Sequence, residues 1–278
     1  MRRRLITTIL DHISIIPFLL FASFPFYWML ITSLKKNSEL YDLKSIPLWI
    51  KEGITLDHYF YLLQKTEFLT WLSNTIIVSI LPTIISLIIS FPAAYALARL
   101  RFRGAILYGM GIFAIYLIPP TLLFIPFSRV ISYLKLSNSI WSLIIVYPSF
   151  MIPFSTLILS AYFKTLPREV EDSAMIDGCN RLQIIYKIII PLSIPGVITS
   201  ILFSFVFGWQ NLIYTIAFIS SSSQKTLSAG MVTELIRGDV FYWGSLMAGA
   251  LLAALPIVLV FVFLMDYYIS GLSAGAIK

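Results

Sequence analysis

Charged side chains are scarce here: they make up 12% of 278 residues, against 59% hydrophobic ones. That balance excludes an ordinary soluble domain. Cysteine occurs once, at Cys179, so no internal disulfide can form. The two histidines, His12 and His58, are far apart and give no metal-ligand spacing. Each reads as a surface or interfacial residue. No cluster of acids, histidines or cysteines points to hydrolytic or redox chemistry. Gly104 and Gly109 have the spacing of a phosphate-binding loop, but Met110 stands where the lysine must be and the stretch is apolar. No nucleotide site follows from it. The net charge of +7 does not argue for nucleic acid, because the basic residues sit in short connections and not on a soluble domain.

Long uncharged stretches are what the chain does contain. They run over 12–34, 68–98, 104–128, 136–163, 188–224 and 240–265. Each exceeds the roughly 20 apolar residues that a membrane-crossing helix needs. The expected fold is an all-α integral membrane protein with six transmembrane helices in a single domain, 1–278. Arg2, Arg3 and Arg4 flank the first run, and Arg99, Arg101 and Arg103 lie between the second and the third. Arginine density close to the membrane assigns these ends, and hence both termini, to the cytoplasm. The first run is too long for a signal-peptide core and no small-residue cleavage site follows it, so it reads as the first span.

The main polar interruption of the second half runs over 163–191, on the inner side by this count. Thr165 is placed to cap a helix, Pro167 falls near its first turn, and Glu169, Glu171 and Asp172 supply negative charge where the macrodipole favours it. Val170, Ala174 and Met175 give that helix one apolar face. Asp177-Gly178 breaks it, because glycine takes the left-handed conformation, and a side chain at 178 is expected to strain and crowd the joint. A second helix is predicted from Asn180 to Pro191, with Leu182, Ile185 and Ile189 on one side. Two short helices joined at a glycine cannot span a bilayer; they lie on it or fit a groove in a partner.

The segment 35–67 is the longest polar one and is predicted to be external. In it Thr55 can cap an interfacial helix with Leu56, Tyr59, Phe60 and Leu63 on one face. Ala93, Ala94, Ala96 and Ala98 permit close helix contact, as do Gly244, Gly249 and Ala253 in the last span. Most of the 14 prolines fall inside apolar runs, among them Pro119, Pro120, Pro126, Pro148 and Pro153. Such breaks are tolerated where neighbours or cavity water satisfy the freed backbone groups, a habit of transporters. Gln210 and Asn211, after Trp209, place amides within the fifth span, where they either line a pathway or bond to a neighbouring helix; Tyr214 follows them. The loop 219–239 opens with four serines and is expected to be flexible before Thr226.

Asp172-Ser173-Ala174, three residues, Gly178, nine residues and then Ile188-Ile189-Ile190-Pro191 resembles the EAA loop of ABC-importer membrane subunits, with Asp172, Ser173 and Ile190 as mild departures. The fixed Gly-to-Pro distance makes this specific. The phrases ITLDHYFYLL and NTIIVS resemble the same entry in sugar-importer permeases, and the final GLSAGAIK is similar to the internal tail of maltose-type second permease subunits. The resemblance covers most of the chain. It implies the type I importer permease fold in a bacterial inner membrane, working by alternating access. The implied partners are a second permease subunit, an ATPase subunit dimer and an external substrate-binding protein, with 219–239 reaching toward the last. No cofactor is implied on this chain; ATP and Mg belong to the ATPase, so the chain itself is not an enzyme. The resemblance assigns ATPase coupling to Glu171, Asp172, Ser173, Ala174, Asp177, Gly178 and Pro191. It places Trp209, Gln210, Asn211 and Tyr214 on the substrate route, although Gln210-Asn211 lacks the acid that the family often has there. The cargo implied is a sugar or polyol, with glycerol phosphate or a polyamine as alternatives. A stand-alone secondary carrier would carry intramembrane charges for ion coupling, and the runs have none.

Overall fold

The computed structural model describes residues 2–42 and 44–276, with side chains over 14–42 and 44–267. The side chains of Arg2, Arg3, Arg4, His12 and the final GLSAGAIK lie outside the described ones. Four helices are long and apolar enough to cross a membrane: Ser14–Leu34, Phe68–Arg99, Ile140–Thr165 and Trp243–Tyr267. Two further pairs are bent, Ala105–Tyr116 with Pro120–Tyr133 by 88° and Arg181–Leu192 with Ile194–Gln210 by 76°; counted as one span each, they bring the total to six. The bends have local causes. Pro119 is extended (ψ 129) as the residue before Pro120 must be, and neither proline can donate to the turn before it. Pro191 and Pro195 flank the second bend at Ser193.

Contacts gather the chain into two units. The first comprises Met1–Phe68 and Gly230–Pro256. The helix expected after Thr55 is Asp57–Lys65, and Thr55 Oγ1 accepts from Asp57 N at 3.1 Å. His58 and Leu62 face inward, while Leu56, Phe60 and Leu63 of the expected apolar face are exposed. His58 is thus a core residue, its Nε2 2.8 Å from the Lys35 carbonyl. It fits because Gly244 has no side chain; a Cβ there would meet His58 Nε2 at 2.2 Å. Lys35 and Glu39 form a covered ion pair at 3.0 Å. A tight hairpin, Ile236–Arg237 with Val240–Phe241, interrupts the helices, with Gly238 at φ +60 in its two-residue turn.

The second unit comprises Leu69–Ala229 and Ile257–Lys278. One of its clusters packs Val78, Ile131, Leu143, Tyr147, Met151, Tyr214 and Phe218. The other joins Ala94, Tyr95, Ala98, Leu159, Phe163, Ala174, Ile184 and Ile189. Within a bilayer such clusters are held by close packing more than by leaving water, which is why small residues matter. A Cβ on Gly208 would meet the Ser79 Cα at 2.8 Å, so those helices touch backbone to backbone. The serine run is not loose. Asn138 Oδ1 accepts from the backbone and hydroxyl of both Ser220 and Ser221, at 2.8–3.2 Å. Trp71 Nε1 and Asn74 Nδ2 donate to the Ser222 and Ser223 carbonyls.

Candidate coupling site at the end of the second span

The polar loop folds as two short helices, Glu169–Ile176 and Arg181–Ile184, the second continuing through a π turn at Ile185–Ile189 to Leu192. Thr165 does not cap the first. It ends the preceding helix instead, its Oγ1 donating to Tyr162 O at 2.7 Å. Glu169, Glu171 and Asp172 occupy the first turn as expected. The joint is a Schellman motif: Cys179 N donates to Ala174 O at 3.0 Å and Gly178 N to Met175 O at 3.1 Å. Gly178 has φ +86, which only glycine adopts freely, yet a Cβ there would meet nothing within 4 Å. The cost of a side chain is therefore strain and not crowding. Asn180 then closes a capping box with Gln183, at 2.8 and 2.9 Å.

Part of each expected apolar face is left exposed in this chain. Ala174 is buried with Glu171, while Val170 and Met175 point outward. In the second helix Ile184 and Ile189 are buried and Leu182 is exposed. Ile190 N bonds to Ile185 O, a five-residue step that brings positions 184 and 189 onto one side. Pro191 lacks the N–H that an α turn would use.

Glu171 carries the central contact. Arg99 Nε lies 2.7 Å from Glu171 Oε1, with 5% and 11% of the two side chains exposed. It is an ion pair and not a hydrogen bond, since neither atom has a hydrogen-bond partner among the described residues. Tyr95 OH donates to Glu171 Oε2 at 2.9 Å, and Arg99 Nη2 to Leu166 O at 2.8 Å. Tyr95 and Arg99 share one helix face because they are four residues apart. Sequence reasoning missed both. Arg99 was legible only as a topology marker, and the 95/99 spacing opposite an acidic loop was the available signal. Of the other assigned residues, Asp172, Ser173, Asp177 and Pro191 are exposed, and Asp172 lines a hollow with Arg99 and Glu171.

The second assigned group splits. Trp209 is buried against Phe205, with ring centroids 5.4 Å apart. Gln210 is exposed at the end of its helix. Asn211 Oδ1 accepts from Tyr214 N at 3.2 Å, in the first turn of the next short helix. Tyr214 is in the core, its OH 2.5 Å from Pro120 O. Among the described residues no three His, Cys, Asp or Glu gather to hold a metal.

A profile for the family described as "Binding-protein-dependent transport system inner membrane component" matches residues 86–273. The chain is 33% identical over 263 residues to an inner membrane ABC transporter permease protein of Escherichia coli, covering 94% of this chain and 93% of that one. It is 34% identical to a sulfoquinovosyl glycerol transport system permease protein of Agrobacterium fabrum, covering 92% and 88%. It is 30% identical to a diacetylchitobiose uptake system permease protein of Streptomyces coelicolor, covering all of both. A chain from the crystal structure of a bacterial ABC transporter that imports the acidic polysaccharide alginate matches with a TM-score of 0.79 and 21% identity, covering 96% and 98%. That last likeness is one of fold.

Proposed function

Because the chain belongs to the family of inner membrane components of binding-protein-dependent transport systems, we propose that it is one permease subunit of an ATP-driven sugar importer. In this reading residues 1–278 act as one permease domain with both termini in the cytoplasm. A second permease completes the pathway, two ATPase subunits bind ATP and Mg, and an external binding protein delivers the solute. The sugar reading is supported by relatives named for diacetylchitobiose and sulfoquinovosyl glycerol. On this reading Gln210, exposed at the end of its helix, is the amide that would meet a passing solute.

The observation that carries this reading is the loop 163–191, two helices held at a glycine joint and clamped through Glu171 to Arg99. An ATPase that binds two loop positions unequally would shift the balance between inward- and outward-facing states. The clamp would pass that motion into the Phe68–Arg99 helix.

One labelling experiment tests both orientation and docking. With Cys179→Ser, the exposed Ser173→Cys should react with an impermeant maleimide in inside-out vesicles and not in spheroplasts. Assembly with the ATPase should protect it. Labelling from outside, or no protection in a complex that hydrolyses ATP, would overturn the reading.

A further inference from the structure

Beside the clamp, Arg99, Leu100, Arg101, Phe102, Arg168 and Arg181 line an open cleft of about 560 Å³. Arg99 is neutralised by Glu171. Arg101, Arg168 and Arg181 are exposed and make no ion pair or side-chain hydrogen bond among the described residues. Asp172 lines the adjoining hollow with Arg168 and Arg181, so the local surplus stays positive. The cleft lies where the Phe68–Arg99 and Ile140–Thr165 spans end and the Arg181–Leu192 segment begins. From its rim the chain continues as an apolar wall: Phe102, Ile106, Leu107 and Tyr108 are all exposed, and the Phe102 and Tyr108 rings lie 6.1 Å apart.

Three unpaired guanidinium groups, an apolar wall beside them and the level at which spans end have one ligand chemistry in common. We propose that this cleft binds the phosphodiester headgroup of an anionic phospholipid, whose acyl chains lie along Ile106 and Leu107. Guanidinium groups hold phosphate oxygens in pairs, and a basic pocket between span ends is where such headgroups are captured. An acidic protein surface would match the charge but has no use for the apolar wall. Free phosphate would match the charge alone. The joint residues Ile176 and Gly178 do not line the cleft, so a bound lipid leaves them open to a partner. The proposal stands whether or not the loop docks an ATPase.

The test is native mass spectrometry of the purified full chain titrated with phosphatidylglycerol or phosphatidylcholine. Each positive charge near an anionic surface strengthens binding about fivefold. Arg101→Gln/Arg168→Gln/Arg181→Gln should therefore lower phosphatidylglycerol affinity by more than tenfold and leave phosphatidylcholine unchanged. Lys51→Gln should change neither. A photoactivatable phosphatidylglycerol should crosslink the wild-type chain within 99–108 or at 181, an arm that needs no variant. A triple variant that keeps its phosphatidylglycerol preference, or crosslinks only elsewhere, would refute the site. Displacement of the lipid by millimolar inorganic phosphate would assign the cleft to free phosphate instead. Loss of ATPase co-purification with unchanged lipid preference would make it a protein-docking surface.

Discussion

Arg99 Nε stands 2.7 Å from Glu171 Oε1 and joins the last residue of a 32-residue helix to the first turn of an eight-residue one. Little of either side chain meets solvent, so each charge depends on the other. The connection is also short and stiff. Tyr95 holds the second carboxylate oxygen one turn earlier on the same helix, so the loop cannot rock without moving that helix end or breaking the pair.

Removing one partner of a covered pair leaves an uncompensated charge and costs about 3 kcal/mol, whereas replacing both by apolar residues costs far less. Arg99→Met and Glu171→Leu should each lower the melting temperature of the purified chain. The double variant should recover most of the loss. Stability and coupling then separate: the double variant should assemble with the ATPase but respond poorly to loaded binding protein, because packing is restored and the directional link is not. Additive destabilisation in the double variant would mean the two residues act independently.

The spans were legible because lipid demands long uncharged runs, and nothing else in the chain produces them. The joint was legible too, since Gly178 and Asn180 act through their own backbone and a neighbour three residues away. Tyr95 and Arg99 were not, because their partner lies more than seventy residues on and its two neighbouring acids look the same in sequence. The grouping of Leu182 with Ile185 and Ile189 was misread for a different reason. A 3.6-residue period places Leu182 beside Ile185 and Ile189, but the π turn resets the phase and buries Ile184 instead. His58 was misread because the space it fills is an absence, the missing side chain of Gly244.

The joint itself gives a cleaner test of coupling than the clamp. The Cβ that Gly178→Val adds meets nothing within 4 Å, so the effect expected is that of a backbone forced to hold φ near +86, at a cost of about 1–2 kcal/mol. Asp172→Lys places a positive charge in the first turn of the helix, against its dipole. Neither residue lies within a candidate span, so both variants should insert normally. Each should weaken ATPase retention or abolish its stimulation in nanodiscs, while the exposed Gln64→Ala should do neither. Normal stimulation in both would make the loop a passive connector.

Glu39 predicts an acid limit for the first unit. Burial alone would raise its carboxyl, but the Glu52 N–H, the Lys35 ammonium and the Lys51 N–H together hold it below its ordinary value of 4.5. A lowered folded value means the stabilisation is complete above the unfolded value and is lost as pH falls below it. Thermal stability should therefore be flat from neutral pH to about 5 and drop below about 4.5. Glu39→Gln should lose about 1.5–3 kcal/mol at neutral pH, the worth of hydrogen bonds to a charged group, and show a weaker acid dependence. An unchanged acid dependence in that variant would place the titrating group elsewhere.

The tightest constraint in the first unit is the contact of His58 with Gly244. A Cβ added at 244 would lie 2.2 Å from Nε2 and 2.3 Å from Cε1, and the ring cannot simply swing away, because Nε2 is bonded to the Lys35 carbonyl. Gly244→Ala must therefore shift a helix or break that bond and leave a buried polar group unpaired. Overpacking of this kind costs about 1–3 kcal/mol. His58→Ala alone removes the bond and leaves a hole, at a similar cost. If the clash is the whole cause, the two changes should not add: Gly244→Ala/His58→Ala should be no less stable than His58→Ala, since the new methyl occupies space the ring has vacated. Lys35 gives an independent readout, because it lies beside the ring and bonds to Glu39. Gly244→Ala should blunt the acid transition of Glu39, and the double variant should restore part of it. A Gly244→Ala protein with wild-type stability would show that the helix beginning at Trp243 moves aside without loss, and that His58 is not wedged against it.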